Sequence, residues 1–263
     1  MNDLTEDPVR VLFLHPRMIK GGWLMKRFTA VILCALLVCA VTCAAAVDTS
    51  KDNCASMRLR SCNIMELKTN AYTEGRPVIV FFPGGNECGD IGDTIRWVRR
   101  YRLYDELDVD LIAVSFRRQP LKSSDWKNPC DDLLAFLQEK YTVSPFPVII
   151  DAVSLGGYGG CYLAQVLNEN GIPVKELNMA DACIPRYVTA DWLRQLAGLG
   201  TQVNLWGCSG RTNVSAETRA FITELEGTEN VSGVIVDASH GAVLHTAIYT
   251  HGLHGEYKTE RGE

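Results

Sequence analysis

The sequence predicts an α/β fold: a mostly parallel sheet with helices on both faces, a three-layer sandwich with little or no lid. Three observations carry that expectation. Short apolar runs of strand length recur at 78–82, 109–116, 147–153, 174–180, 202–206 and 231–236. Stretches of helical spacing separate them, and strand-helix alternation is the pattern of parallel crossovers buried on both sides. Finally, Pro83, Ser154, Asp181, Ser209 and Ser239-His240 all fall at the carboxyl ends of those runs, the edge where open α/β sheets bind ligands.

The totals agree with one globular domain. The chain has 263 residues, 47% of them apolar, with no internal repeat, and its net charge of -5 argues against a nucleic-acid partner. Met25-Lys26-Arg27, the apolar run 28–41 and the small residues Ala44-Ala45-Ala46 form a secretory signal pattern, so 25–46 reads as a signal peptide and the expected location is secreted or cell-surface. If the signal stays uncleaved, the run 28–47 is nearly long enough to anchor the chain in a bilayer, the single membrane contact expected. Residues 1–24 sit in front of that signal as an upstream extension, and the expected translation start is Met25. Lys20-Gly21-Gly22 can be encoded by a purine-rich ribosome-binding sequence, which implies a bacterial source. A polar, cysteine-bearing segment, 47–75, precedes the main domain at 76–263.

Seven cysteines follow Ala46, and none form a CxxC or a Cys/His cluster at metal spacing, so neither a metal site nor a cofactor is expected. Export permits disulfides, with Cys54–Cys62 and Cys88–Cys130 the first pairs to test. Cys161, inside a helical pattern, reads as packing.

In chain order, a short strand-like piece at 63–68 precedes the apolar strand 78–82, which stops at Pro83-Gly84-Gly85-Asn86. Helical spacing at 91–107 leads to the strand 109–116. Asn128-Pro129-Cys130-Asp131-Asp132 reads as a helix start, with Asn128 as cap and Pro129 in the first turn, running to about Tyr141. The strand 147–153 then breaks at Ser154 and a burst of glycine, and a helix follows over 161–167. Strands at 174–180, 202–206 and 231–236 alternate with helices at 190–199 and 216–226, and a last helix begins near Gly241.

A serine on a tight strand-to-helix turn has its hydroxyl displayed, and the turn demands small residues on either side; here they are Ala152 and Gly156. Ala152-Val153-Ser154-Leu155-Gly156, with Ser239-His240-Gly241 after the last strand, resembles the nucleophile elbow and late histidine of the α/β-hydrolases, in that family's order of serine before histidine. The resemblance spans 76–252 and implies a serine esterase or lipase-like enzyme. Ser154 would be the nucleophile and His240 the base that takes its proton, with the amides of Leu155 and of Gly85 or Asn86 as the oxyanion hole. The family's acid usually follows the penultimate strand, yet 205–211 offers no carboxylate. Asp181, one strand earlier, is the best substitute; the alternatives are a site with no acid or with a polar stand-in, and then Asp237. For His245, His251 and His254 the expectation is a surface or packing role.

The expected substrate is a small or surface-displayed ester, because only a short stretch after Asp181 is free to form a lid, at most the amphipathic piece 192–196. Two rivals differ in class. A dinucleotide site fits the strand-glycine-helix order but lacks the third glycine, Tyr162 standing there. A non-catalytic cell-surface binding protein of hydrolase-like fold draws its support from the unassigned acid.

Overall fold

The computed structural model describes residues 54–67, 72, 74–85, 90–116, 124–210 and 212–259, all within the compact unit Thr49–Glu263. The extension 1–24, the signal 25–46, Asn86 and Cys88 lie outside the described residues.

Eight strands form one sheet: β1 (Cys54–Arg58), β2 (Cys62–Leu67), β3 (Val78–Phe82), β4 (Asp110–Phe116), β5 (Val148–Val153), β6 (Val174–Ala180), β7 (Gln202–Cys208) and β8 (Val231–Val236). Their order is β1-β2-β4-β3-β5-β6-β7-β8. β1 and β2 pair antiparallel, β2 joins β4 antiparallel, and every pairing from β4 to β8 is parallel. The central strands β3, β4 and β5 are buried at every residue, which is why they read as unbroken apolar runs.

Among the described residues six α-helices accompany the sheet: α1 (Ile91–Arg100), α2 (Ser124–Val143), α3 (Gly157–Glu169), α4 (Ala190–Gly198), α5 (Asn213–Glu224) and α6 (Val243–Tyr249). Residues of α2 to α5 share one core with Val78, Val80, Phe82, Ile150, Ala152, Met179 and Leu205. α1 packs on the other side, where Trp97 stacks on Phe81 at 5.3 Å. The predicted sandwich of three layers is therefore the observed one.

Local differences from the sequence reading have identifiable causes. β1 was not anticipated, because Cys54-Ala55-Ser56-Met57-Arg58 is an exposed edge with no apolar alternation to announce it. The helix expected over 91–107 stops at Arg100: Arg102 and Tyr104 take left-handed φ of 50° and 67°, and buried Tyr104 turns inward to donate to Asp151 at 2.8 Å. α2 begins at Ser124, ahead of the cap expected at Asn128, and holds Pro129 inside it. The added turn sets Trp126, fully buried, edge-on against Phe116 at 4.7 Å.

The piece 192–196 is no lid. It belongs to α4, whose Leu193 and Leu196 are buried in the core while Trp192 Nε1 donates to Gln165 of α3 at 2.9 Å.

The suggested Cys54–Cys62 disulfide does not fit. Cys54 lies opposite Leu67 in the β1/β2 register, at the far end of the hairpin from Cys62; five residues of strand separate them by about 16 Å, well beyond disulfide reach. Cys130 is buried and its thiol donates to the Gly159 carbonyl at 3.5 Å; its suggested partner, Cys88, lies outside the described residues.

One face of the sheet carries a polar row. Asp151, Asn178, Asn204 and Ser232 are register partners across β5 to β8. Ser232 Oγ donates to Asn204 at 2.7 Å, Asn204 to Asn178 at 2.7 Å, and Asn178 to Asp151 at 2.8 Å. The row ends on His254, whose Nε2 meets the two Asp151 oxygens at 3.2 and 3.0 Å. His254 is thus a fully buried ion-pair partner, not a surface histidine. Burial disfavours its charge, but Asp151, assisted by Glu176 and Glu256, more than offsets this and raises its pKa above the ordinary histidine value.

Candidate active site

β5 ends at Val153, and Ser154 follows with φ of 49°, opening a single turn of 3-10 helix (Ser154–Gly156) that runs into α3. A positive φ on a serine is a strained backbone, here held by close packing. A Cβ on Gly156 would lie 2.6 Å from the Phe82 carbonyl oxygen and 2.8 Å from that of Pro83, so the turn admits glycine alone there. Ala152 stands two residues before the serine. Its methyl is tolerated because Gly160 faces it, where a second Cβ would come within 3.0 Å.

The loop after β3 lies against the same turn. A side chain on Gly84 would meet Ser154 Cβ at 2.7 Å, and Gly85 takes a left-handed φ of 54°. Gly85 therefore follows directly on the residue that touches the serine. Leu155 opens the helix, where the first amides have no partner within the helix itself.

β6 pairs with β5 so that Ala180 faces Val153. The next residue on each strand, Asp181 and Ser154, therefore leaves the sheet from adjacent rungs, and Asp181 also takes a left-handed φ, 45°. Asp181 is fully buried. Its Oδ2 accepts from Ser215 Oγ at 2.6 Å and from Cys208 Sγ at 2.9 Å, and its Oδ1 from the Cys208 amide at 3.0 Å. Oδ2 also meets His240 Nδ1 at 3.0 Å. Burial of the carboxyl works against ionisation, but the bonds from His240, Cys208 and Ser215 together outweigh it and hold the pKa below the ordinary carboxylate value.

His240 opens a short 3-10 turn (His240–Ala242) after β8, its side chain 30% exposed. With Nδ1 on Asp181, the tautomer is fixed with its proton there. Nε2 is then left as the basic atom. No hydrogen bond joins Nε2 to Ser154 among the described residues; such bonds are often long without substrate and tighten on binding.

Of the residues singled out from sequence, Ser154, Leu155, Gly85, Asp181 and His240 all lie on the carboxyl edge of the sheet, and Asn86 lies outside the described residues. Asp237 is turned away: it accepts from Ser209 Oγ at 3.1 Å on the exposed side. His251 packs its ring on Trp206 and His245 on Tyr249, at 6.0 and 4.9 Å. Sequence reading missed Cys208 and Ser215. Their place, one strand over and one helix on from Asp181, has no local signature.

The sequence matches no protein-family model and no curated protein. Its architecture does have counterparts. An esterase from the fungus Rhizomucor miehei is 12% identical, with a TM-score of 0.52 over 79% of this chain and 85% of its own. A thermostable carboxylesterase cloned from a metagenomic library is 10% identical, with a TM-score of 0.50 over 71% and 78%. The enterobactin esterase of Shigella flexneri is 15% identical, with a TM-score of 0.50 over 77% of this chain and 58% of its own. Eight strands in this order, the turn at Ser154 and these likenesses lead to one structural conclusion: the chain has the α/β-hydrolase fold.

Proposed function

We propose that the protein is a serine hydrolase that cleaves carboxylic esters through an acyl-enzyme. The observation that carries this reading is the Asp181–His240 hydrogen bond, 3.0 Å, on the rim that displays Ser154. His240 Nε2 takes the Ser154 proton as Oγ attacks the ester carbonyl, and the resulting imidazolium is stabilised by Asp181. The amides of Leu155 and of Gly85 or Asn86 receive the charge that develops on the carbonyl oxygen. Collapse returns the proton to the leaving alcohol. Water then attacks the acyl-Ser154 ester with His240 again as base.

With α4 packed into the core there is no lid helix in that segment, which favours small or surface-displayed esters over a deep acyl chain. The binding-protein alternative rested on the want of an acid, and the Asp181–His240 hydrogen bond supports the catalytic reading over it. We also read the protein as exported, secreted or held at the cell surface through 25–46; a mature N-terminus near Val47 would support this, and one ahead of Met25 would overturn it.

A fluorophosphonate probe tests the chemistry. Wild type should be labelled and Ser154→Ala should not. Folded wild-type protein that takes no label would remove the proposal.

A further inference from the structure

Two buried side chains outside the proposed Ser154–His240–Asp181 set converge on its acid. Cys208 ends β7 and Ser215 lies in the first turn of α5, and neither is exposed to solvent. Between them they approach Asp181 from two elements. The Cys208 amide holds Oδ1 at 3.0 Å while its thiol reaches Oδ2 at 2.9 Å, so one residue brackets both oxygens. Ser215 Oγ donates to Oδ2 at 2.6 Å. Its own orientation is fixed by Thr212, whose hydroxyl lies 2.5 Å away and caps the helix by accepting the Ser215 amide at 3.1 Å.

A carboxylate on a single Cβ–Cγ bond is otherwise free to turn about it. We infer that Cys208 and Ser215 are positioning residues: they lock the Asp181 carboxyl so that Oδ2 stays aimed at His240 Nδ1. The inference rests on the reading of Asp181 and His240 as acid and base. Cys208 is a hydrogen-bond donor in this role, which explains a thiol buried against a carboxylate; burial, and then the hydrogen bond to Asp181, push that thiol's pKa up, keeping its proton on sulfur. The N-terminus of α5 adds its favourable dipole to the ionised carboxylate.

The test uses Cys208→Ala, Cys208→Ser, Ser215→Ala and Ser154→Ala in the full chain, read by fluorophosphonate labelling rate and by turnover of p-nitrophenyl acetate. Ser215→Ala should lower kcat about tenfold and Cys208→Ala about threefold, with KM unchanged, since a charge-assisted hydrogen bond is lost from a group that does not touch substrate. Cys208→Ser keeps a donor and should restore at least half of the wild-type rate. A packing role would give the opposite order, with Ser, more polar in a buried place, no better than Ala. The downfield proton resonance of His240 Nδ1–H should broaden in Ser215→Ala and be retained in Cys208→Ser. If Ser215→Ala fails to fold, the Cys208 pair decides the matter alone. Wild-type kcat in Cys208→Ala and Ser215→Ala, with Ser154→Ala inactive, would overturn this inference and leave the proposed chemistry standing; activity in Ser154→Ala would overturn both.

Discussion

Replacing Asp181 with asparagine keeps the shape of the side chain and removes its charge, and the surrounding donors dictate how the amide must lie. Three donors face Oδ2, from His240, Ser215 and Cys208, whereas only the Cys208 amide faces Oδ1. Among the described residues the amide oxygen is therefore best placed at Oδ2, with the new NH2 turned toward one N–H. In that pose His240 keeps its proton on Nδ1, so its tautomer survives. What is lost is the attraction between the imidazolium and a carboxylate, about 4 kcal/mol for charges ~4 Å apart at an effective dielectric of ~20. The expected fall in kcat is thus about 10³-fold, less than the roughly 10⁴ that follows when a triad histidine is held in the wrong tautomer.

The clash of two donors should cost about 1–3 kcal/mol of stability, or about 2–12 °C in melting temperature, with the protein still folded. Because the Asp181 pKa is lowered in the fold, its hydrogen bonds stabilise the protein above the unfolded carboxylate value of about 3.9 and are lost as pH falls through the lower folded value. The stability gap between wild type and Asp181→Asn should then be level from about pH 5 upward and close in strong acid. Steady-state kinetics on p-nitrophenyl acetate, with melts from pH 2 to 8, measure both quantities. Turnover within tenfold of wild type would refute the assignment of the acid.

Two other outcomes follow from buried geometry. His254→Gln leaves Asp151 without its ion-pair partner and should cost about 3 kcal/mol or more, since both side chains are fully buried. The raised His254 pKa makes that contribution complete below the unfolded value of about 6.5 and lost as pH climbs through the folded one, so the gap in melting temperature should narrow in alkali; a gap that widens there would contradict the pairing. Gly156→Ala drives a methyl into the Phe82 and Pro83 carbonyls at 2.6 and 2.8 Å; a loss of about 2 kcal/mol or more in urea melts, together with lost fluorophosphonate labelling, is expected, and an unaffected labelling rate would argue against the described turn.

What was legible in the sequence was what local pattern encodes. β3, β6 and β8 were located to the residue, β3 because a fully buried strand writes its burial into an unbroken apolar run. Ser154 was legible through its small neighbours, and His240 through its place after the last strand. Asp181 was legible only as one of several carboxylates, since its selection depends on a residue 59 positions later. Asp151 went unremarked inside an apolar run, although a lone acid in a buried strand was itself a signal. Its partner, His254, is 103 residues away. The start of α2 was misjudged because Asn128-Pro129 is a strong local start signal, and the burial of Trp126 prevails over it.

The polar row on β5 to β8 bears on how the molecule comes to be made. Asp151 stands three residues ahead of Ser154, on the strand that leads into that turn, and pairs with a histidine 103 residues later. During synthesis that histidine arrives after all eight strands have emerged, so until then Asp151 lacks its ion-pair partner. A chain cut before residue 254 would meet the same difficulty permanently. Burial of β5 and docking of the segment that carries His254 are in this way tied together, and the strand that leads into Ser154 depends on a contact made across 103 residues of chain.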